Sequence, residues 1–179
     1  CPAGQANLGT GNTACGACPA GYYDKNKACV GCEPGFFTAA PGANVCSPCA
    51  RGTFGNATAL TACHGCNLGT FSDQQSLSTC KECTVGEYGP TTGMVECTKC
   101  APGSYTANNG SLTCVACPKG QGQPLRGSST CSACVAGTFA SVTGQAVCAG
   151  CPTGTFANVT SQTACLSCNP GSYAGDTGL

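Results

Sequence analysis

The chain of 179 residues has no tryptophan, no isoleucine, one methionine (Met94) and one histidine (His64). Seven basic and seven acidic side chains leave it without net charge. Each scarcity excludes something. Without large aliphatic side chains there is little from which to build an ordinary apolar core. Without a clustered basic face there is no footprint for nucleic acid, and the charge offers no electrostatic hold on a membrane surface. No apolar run approaches the roughly 18–20 residues of a spanning helix, and no stretch has the pattern of a secretory signal. One histidine, with no carboxylate pair, Ser-His-Asp set or phosphate-binding loop, leaves no catalytic site to assemble. Neither an enzyme nor a bound cofactor is expected.

What the chain does have is cysteine, twenty-one of them. At about 12% of the residues this exceeds the roughly 8–10% that marks disulfide scaffolds. Such a composition belongs outside the reducing cytosol, so the expected location is extracellular or at the cell surface. The cysteines keep a clock of 17 residues. Cys29/Cys32, Cys46/Cys49, Cys63/Cys66, Cys80/Cys83, Cys97/Cys100, Cys114/Cys117, Cys131/Cys134, Cys148/Cys151 and Cys165/Cys168 follow one another without a slip. Cys15/Cys18 precedes them by a step of 14, and Cys1 stands alone.

Counted from the second cysteine of each pair, the repeats begin at Cys1, Cys18, Cys32, Cys49, Cys66, Cys83, Cys100, Cys117, Cys134, Cys151 and Cys168. The whole chain reads as one continuous array of about ten and a half repeats, expected to be a piece of something longer. The fourth position is glycine in every repeat, and the sixth is Phe or Tyr in nine of eleven. The eleventh is Gly, Ser or Ala in every full-length repeat. A glycine at a fixed place after the cysteine suggests positive φ and a turn. The Thr-Phe or Ser-Tyr that follows favours strand, and the small eleventh residue suits a second turn. The fold class predicted is therefore small, disulfide-rich and all-β: an elongated tandem array of short irregular hairpins with no helix. The aromatic is placed to lie against a neighbouring disulfide as a one-residue core, with an exposed aromatic stripe as the alternative. Two strands per repeat, about 4.8 Å apart, would give a rise of roughly 10 Å and a rod on the order of 100 Å.

The phase of the ends favours bridges between the second cysteine of each pair and the first of the next. These would be Cys1–Cys15, Cys18–Cys29, Cys32–Cys46, Cys49–Cys63, Cys66–Cys80, Cys83–Cys97, Cys100–Cys114, Cys117–Cys131, Cys134–Cys148 and Cys151–Cys165, with Cys168 left over. Each closes a loop near 15 residues, worth on the order of 3 kcal/mol. An interlaced scheme, with Cys46–Cys63 and Cys49–Cys66, stays open because sequence alone does not fix connectivity. The spacing also lies near that of a zinc ribbon, but knuckles running in series through a neutral Gly/Thr/Ala-rich chain are unlike a zinc site, and no metal is expected. Haem attachment needs Cys-x-x-Cys-His, whereas His64 lies inside its pair. It reads as a surface residue in a variable slot.

The pattern in Cys151-Pro152-Thr153-Gly154-Thr155-Phe156, followed by a small residue and a Cys-x-x-Cys, resembles the ephrin-receptor-like cysteine-rich repeat. That repeat is related to the first module of tumour-necrosis-factor-receptor cysteine-rich domains, and the resemblance covers essentially the whole chain. In the receptor module the first cysteine bonds the next, which supports the sequential scheme. The match departs at Ala6 and Gly122, where the aromatic is missing. The resemblance implies extracellular matrix, receptor, protist surface or algal flagellar proteins, and location and shape more than activity.

Three Asn-x-Ser/Thr sequons, at Asn56, Asn109 and Asn158, fall in the loop after the aromatic, where N-linked glycans could sit without clashing. Two repeats are irregular. The one from Cys18 is three residues short and carries Asp24, Lys25 and Lys27, which suggests a tighter turn. The one from Cys117 lacks its aromatic, which suggests a bend or a partner-binding surface. The function expected is structural: a disulfide-stapled rod from a large extracellular glycoprotein, contributing to a cell-surface or flagellar filament or coat (mastigoneme-like). Its Gly-, Ala-, Thr- and Pro-rich composition without isoleucine is what suggests the algal case. Lateral or end-to-end assembly with copies of itself or with other filament subunits is expected. The alternative is the ligand-binding ectodomain of a cell-surface receptor.

Overall fold

The computed structural model describes residues 1–7 and 15–178. Among these there are twenty short strands and no helix, and the strands pair as ten two-stranded antiparallel hairpins. The chain forms two compact bodies. One comprises Cys1–Glu82 with Thr91–Cys97, the other Cys83–Pro90 with the residues from Thr98 onward. Both are built in the same way.

The repeat from Cys49 shows how sequence makes the hairpin. Its fourth residue, Gly52, has φ +80°, as the third residue of a type II turn requires. The Thr53 N–H closes that turn on the Ala50 carbonyl at 3.0 Å. The Thr53 hydroxyl donates to the same oxygen at 2.7 Å. Thr70, Ser104, Thr138, Thr155 and Ser172 repeat this second bond. The Thr or Ser before the aromatic is therefore a turn-closing residue as well as a strand former. Thr53 and Phe54 then pair with Gly65 and His64, the two residues inside the next Cys-x-x-Cys. All eleven fourth-position glycines lie between φ +74° and +88°. The eleventh position is left-handed as well, in Ala59, Ser76 and Ser161 as in Gly42, Gly93, Gly110, Gly127, Gly144 and Gly178.

The repeat from Cys18 makes its shorter loop in a different way. Tyr22–Lys25 pairs with Ala28–Gly31 over four residue pairs. The two-residue connection, Asn26 and Lys27, has φ +56° and +66°, as a type I′ hairpin turn demands. The Asp24 carboxylate accepts the Lys27 N–H at 2.8 Å. This is the tighter turn that the three missing residues suggested.

Within each body, successive repeats are joined by main chain. From the repeat of Cys32 to that of Cys49, Gly35 N–H donates to Gly55 O at 2.8 Å, Thr38 N–H to Leu60 O at 3.1 Å, and Ala59 N–H returns to Cys32 O at 2.8 Å. In the other body the same three bonds run Gly120 to Ala140, Gln123 to Gln145 and Gly144 to Cys117. Because backbone groups carry the stacking, the side chains are free to vary.

The centre of the fold differs from the expectation in one respect. The residues sealed from solvent are the opening cysteines, Cys18 through Cys151, at 0–1% exposure, together with small residues at the seventh position such as Ser72, Ala140 and Ala157. The sixth-position aromatics are only half-buried, and Tyr173 is 90% exposed. A hairpin two residues long covers one face of a ring and leaves the other to water. The aromatic is thus a flank of the core, and the cysteine is its centre.

Candidate functional site

Among the described residues no cluster of catalytic or metal-binding side chains sets one repeat apart, so the sites to consider are the cysteine spine, the glycine line, the aromatic row and the loops. The disulfides join Cys1 to Cys15, Cys18 to Cys29, Cys32 to Cys46, Cys49 to Cys63 and Cys66 to Cys80. They continue as Cys100 to Cys114, Cys117 to Cys131, Cys134 to Cys148 and Cys151 to Cys165. Cys83 and Cys97 are oxidised too, and Cys168 is a free thiol. Cα separations of 5.2–5.8 Å, from Cys1–Cys15 to Cys32–Cys46, are those of unforced bridges. The two ends of a bridge are unlike. From Cys18 onward the opening cysteine is sealed, while the closing one, as at Cys46 or Cys148, is partly exposed. An oxidised sulfur offers no thiolate to a metal, and no group of three or more candidate ligands occurs among the described residues.

The glycine line has a role that its turn alone does not reveal. A methyl group on Gly35 would stand 2.2 Å from the carbonyl oxygen of Ser76, and one on Gly103 would stand 2.1 Å from that of Gly144. In each case the oxygen belongs to the repeat two steps further on. Hydrogen bonds thus join nearest neighbours, while these glycines, like Gly4, Gly21, Gly52, Gly86 and Gly120, also admit the backbone of the next-nearest. The seventh position is small for a related reason, since it is buried where its own carbonyl and N–H join the ladder. A run of Thr, Gly, Ser, Gly and Thr at Thr38, Gly55, Ser72, Gly89 and Thr106 is the sequence signal that could have exposed this.

The aromatics lie against their cross-strand partners. Phe54 sits beside His64 with ring centroids 5.9 Å apart. Lys81 Nζ lies 6.0 Å from the Phe71 centroid and 2.8 Å from Asp73 Oδ1. The Lys81 hydrogen bond holds the Asp73 carboxyl below its usual pKa. Both partners are solvated, so the pair adds little to stability.

At Gly122 the ring is absent, and the residue lines an open hollow of about 280 Å³, walled also by Pro124, Val135, Thr138, Val147 and Cys148 among others. The backbone does not respond to the loss, because Gln121 and Gly122 still pair with Ala133 and Ser132. Gln123 is buried in the adjoining seventh position, its amide donating to Thr130 O at 2.8 Å and its carbonyl accepting Leu125 N–H at 3.0 Å. The three sequon asparagines, Asn56, Asn109 and Asn158, are exposed.

These features define a class: a tandem array of disulfide-stapled β-hairpins, stacked by main chain and lacking any unique reactive centre among the described residues. Four overlapping stretches, residues 69–112, 86–134, 105–144 and 137–178, match the family described as tyrosine-protein kinase ephrin type A/B receptor-like. Together they span more than half of the chain, and the chain belongs to this family. What matches is a non-enzymatic cysteine-rich repeat, which with the oxidised cysteines points to an extracellular or cell-surface module. No curated relative matches the chain.

Proposed function

We propose that the chain is a structural segment of a large extracellular glycoprotein and that it assembles laterally or end to end, with copies of itself or with related subunits, into a cell-surface or flagellar filament or coat. The observation that supports this most is the main-chain ladder. Within each body, successive repeats offer one another the same backbone groups, and such quasi-one-dimensional arrays build extended surfaces. The distribution of charge adds to it. Through Glu96 the chain carries six acidic and four basic residues, and from Cys97 onward one acidic and three basic. Segments of opposite sign favour offset contacts between copies. N-linked glycans at Asn56, Asn109 or Asn158 would keep those loops solvated.

The experiment is sedimentation of the secreted, oxidised chain over a range of concentration and salt, with negative-stain microscopy of any assembly. Self-association that weakens as salt rises, giving ordered filaments or sheets, is the expected result. A monomer at every concentration, in low salt as in high, contradicts the reading. Intact mass before and after enzymatic removal of N-glycans reports whether any of the three asparagines is modified.

A further inference from the structure

We propose that the hollow at Gly122 is a docking site for one aromatic side chain, Phe or Tyr, carried on an acidic segment of another extracellular protein. The proposal does not depend on self-assembly of the chain.

The cradle is already built. In the repeat from Cys18, Tyr23 shares its hollow with Glu33, Phe36 and Cys46, the second, fifth and fifteenth residues of the following repeat. The hollow at Gly122 is walled by the same three positions of its following repeat, Val135, Thr138 and Cys148. Beside Tyr23 this hollow measures about 190 Å³, and at Gly122, where no ring forms its wall, it measures about 280 Å³. Neighbouring side chains do not fill the space, since Gln123 is tied back to Thr130 and Leu125.

The rim is adapted to an apolar guest. The repeat from Cys134 is the only one with valine at both its second and fourteenth positions. Those residues, Val135 and Val147, line the hollow and are 64% and 67% exposed. Elsewhere the same two positions hold residues such as Glu33, Asn67 or Glu96. An unfilled apolar cradle beside exposed valines is the surface that an inserted side chain covers. Its preferred guest is the one its own fold places there in nine of eleven repeats, a Phe or a Tyr.

Charge specifies what flanks that ring. Between Glu96 and Asp176 the chain carries Lys99, Lys119 and Arg126 and no carboxylate. Lys119 and Arg126, both exposed, lie in the repeat that lacks the ring. Carboxylates beside the inserted ring would meet this positive field, which favours encounter and orientation.

The test is a titration of the oxidised, isotope-labelled chain with the peptide acetyl-Glu-Asp-Phe-Asp-Glu-amide, followed by amide chemical shifts. Two control peptides replace Phe by Ala or the four acids by Lys. Gly122→Phe supplies the missing ring from the chain itself. Gly122 is not among the residues with positive φ, and a Cβ there would lie 3.2 Å from Ala146 O, a contact that a small shift relieves. Val147→Asp alters the exposed rim and leaves the ladder intact. The expected result is movement of the Ala133, Val135 and Val147 amides with the acidic Phe peptide only, and binding weaker by about tenfold or more in either variant. Unmoved amides at those positions, or equal affinity for Gly122→Phe and Val147→Asp, would overturn the proposal. Self-association of the parent chain that disappears in both variants would also overturn it, by assigning the hollow to a second copy.

Discussion

Gly103 and Gly144 hold the fourth and eleventh positions of their repeats at nearly the same backbone angle, φ +79° and +78°, yet they answer to different constraints. A methyl group on Gly103 would press to 2.1 Å from the Gly144 carbonyl oxygen, while one on Gly144 would meet nothing closer than the Ala116 Cβ at 3.7 Å. Their turns ask both residues for a left-handed conformation. Only the repeat two steps along asks Gly103 to have no Cβ. One residue type in one motif thus satisfies a local rule in one place and a local plus a packing rule in the other. The repeat from Cys117 extends the lesson from backbone to side chain. It loses its aromatic and keeps its strand register, so the ring is an addition to a scaffold that cysteine and glycine have already set.

The largest effect expected within this comparison is from removing the bridge beside Gly103. Cys100→Ser with Cys114→Ser opens a loop of sequence separation 14 and leaves a polar group at a sealed position, for a loss of about 3 kcal/mol or more. Denaturant unfolding measures it, and a loss below about 1 kcal/mol would show that the ladder holds the repeat without its staple. Next comes the glycine pair itself. Gly103→Ala combines left-handed strain with a backbone collision and should cost about 3 kcal/mol, against roughly 1 kcal/mol for Gly144→Ala, which meets the strain alone. Equal losses would place the whole requirement in the turn.

Smaller still is Phe139→Ala. A half-exposed ring removes less apolar area from water than a core ring does, so the expected loss is about 1–2 kcal/mol rather than the roughly 3–5 kcal/mol of a buried one. A core-sized loss would restore the aromatic to the centre of the fold. The smallest change is at the exposed Asp73–Lys81 pair. The Lys81 hydrogen bond lowers the folded-state pKa of Asp73. Its stabilising effect is therefore present above the ordinary carboxylate pKa and is lost as pH falls through the lower folded value. Lys81→Met should move the Asp73 titration, read by carboxyl chemical shift, up toward its usual value while the melting curve hardly moves. An unmoved titration would remove Lys81 as the cause.

Much of this was legible in the residues because each signal was local and repeated. The 17-residue clock located the repeats, the glycine after each cysteine announced positive φ, and the three residues missing after Cys18 announced a tighter turn at Asn26 and Lys27. What escaped was non-local. That Gly103 faces Gly144, forty-one residues along, depends on the stacking of three successive repeats, and no pattern within one repeat encodes it. The ranking of cysteine over aromatic in the core escaped for the converse reason. Phe54 is the larger side chain, but a two-residue strand cannot enclose it, whereas Cys49 sits where neighbouring turns close over it. The bond from the Thr53 hydroxyl to Ala50 was hidden because Thr also favours strand, and one residue type carried both signals.

The central claim is an oxidised spine in which each opening cysteine is bonded to the closing cysteine of its own repeat. Peptide mapping by mass spectrometry under non-reducing conditions, with thiols blocked before digestion, tests it most directly. Linked peptides joining Cys49 to Cys63, Cys117 to Cys131 and their equivalents are the predicted result. Peptides joining Cys46 to Cys63 and Cys49 to Cys66, or free thiols with zinc retained by the intact protein, would contradict it.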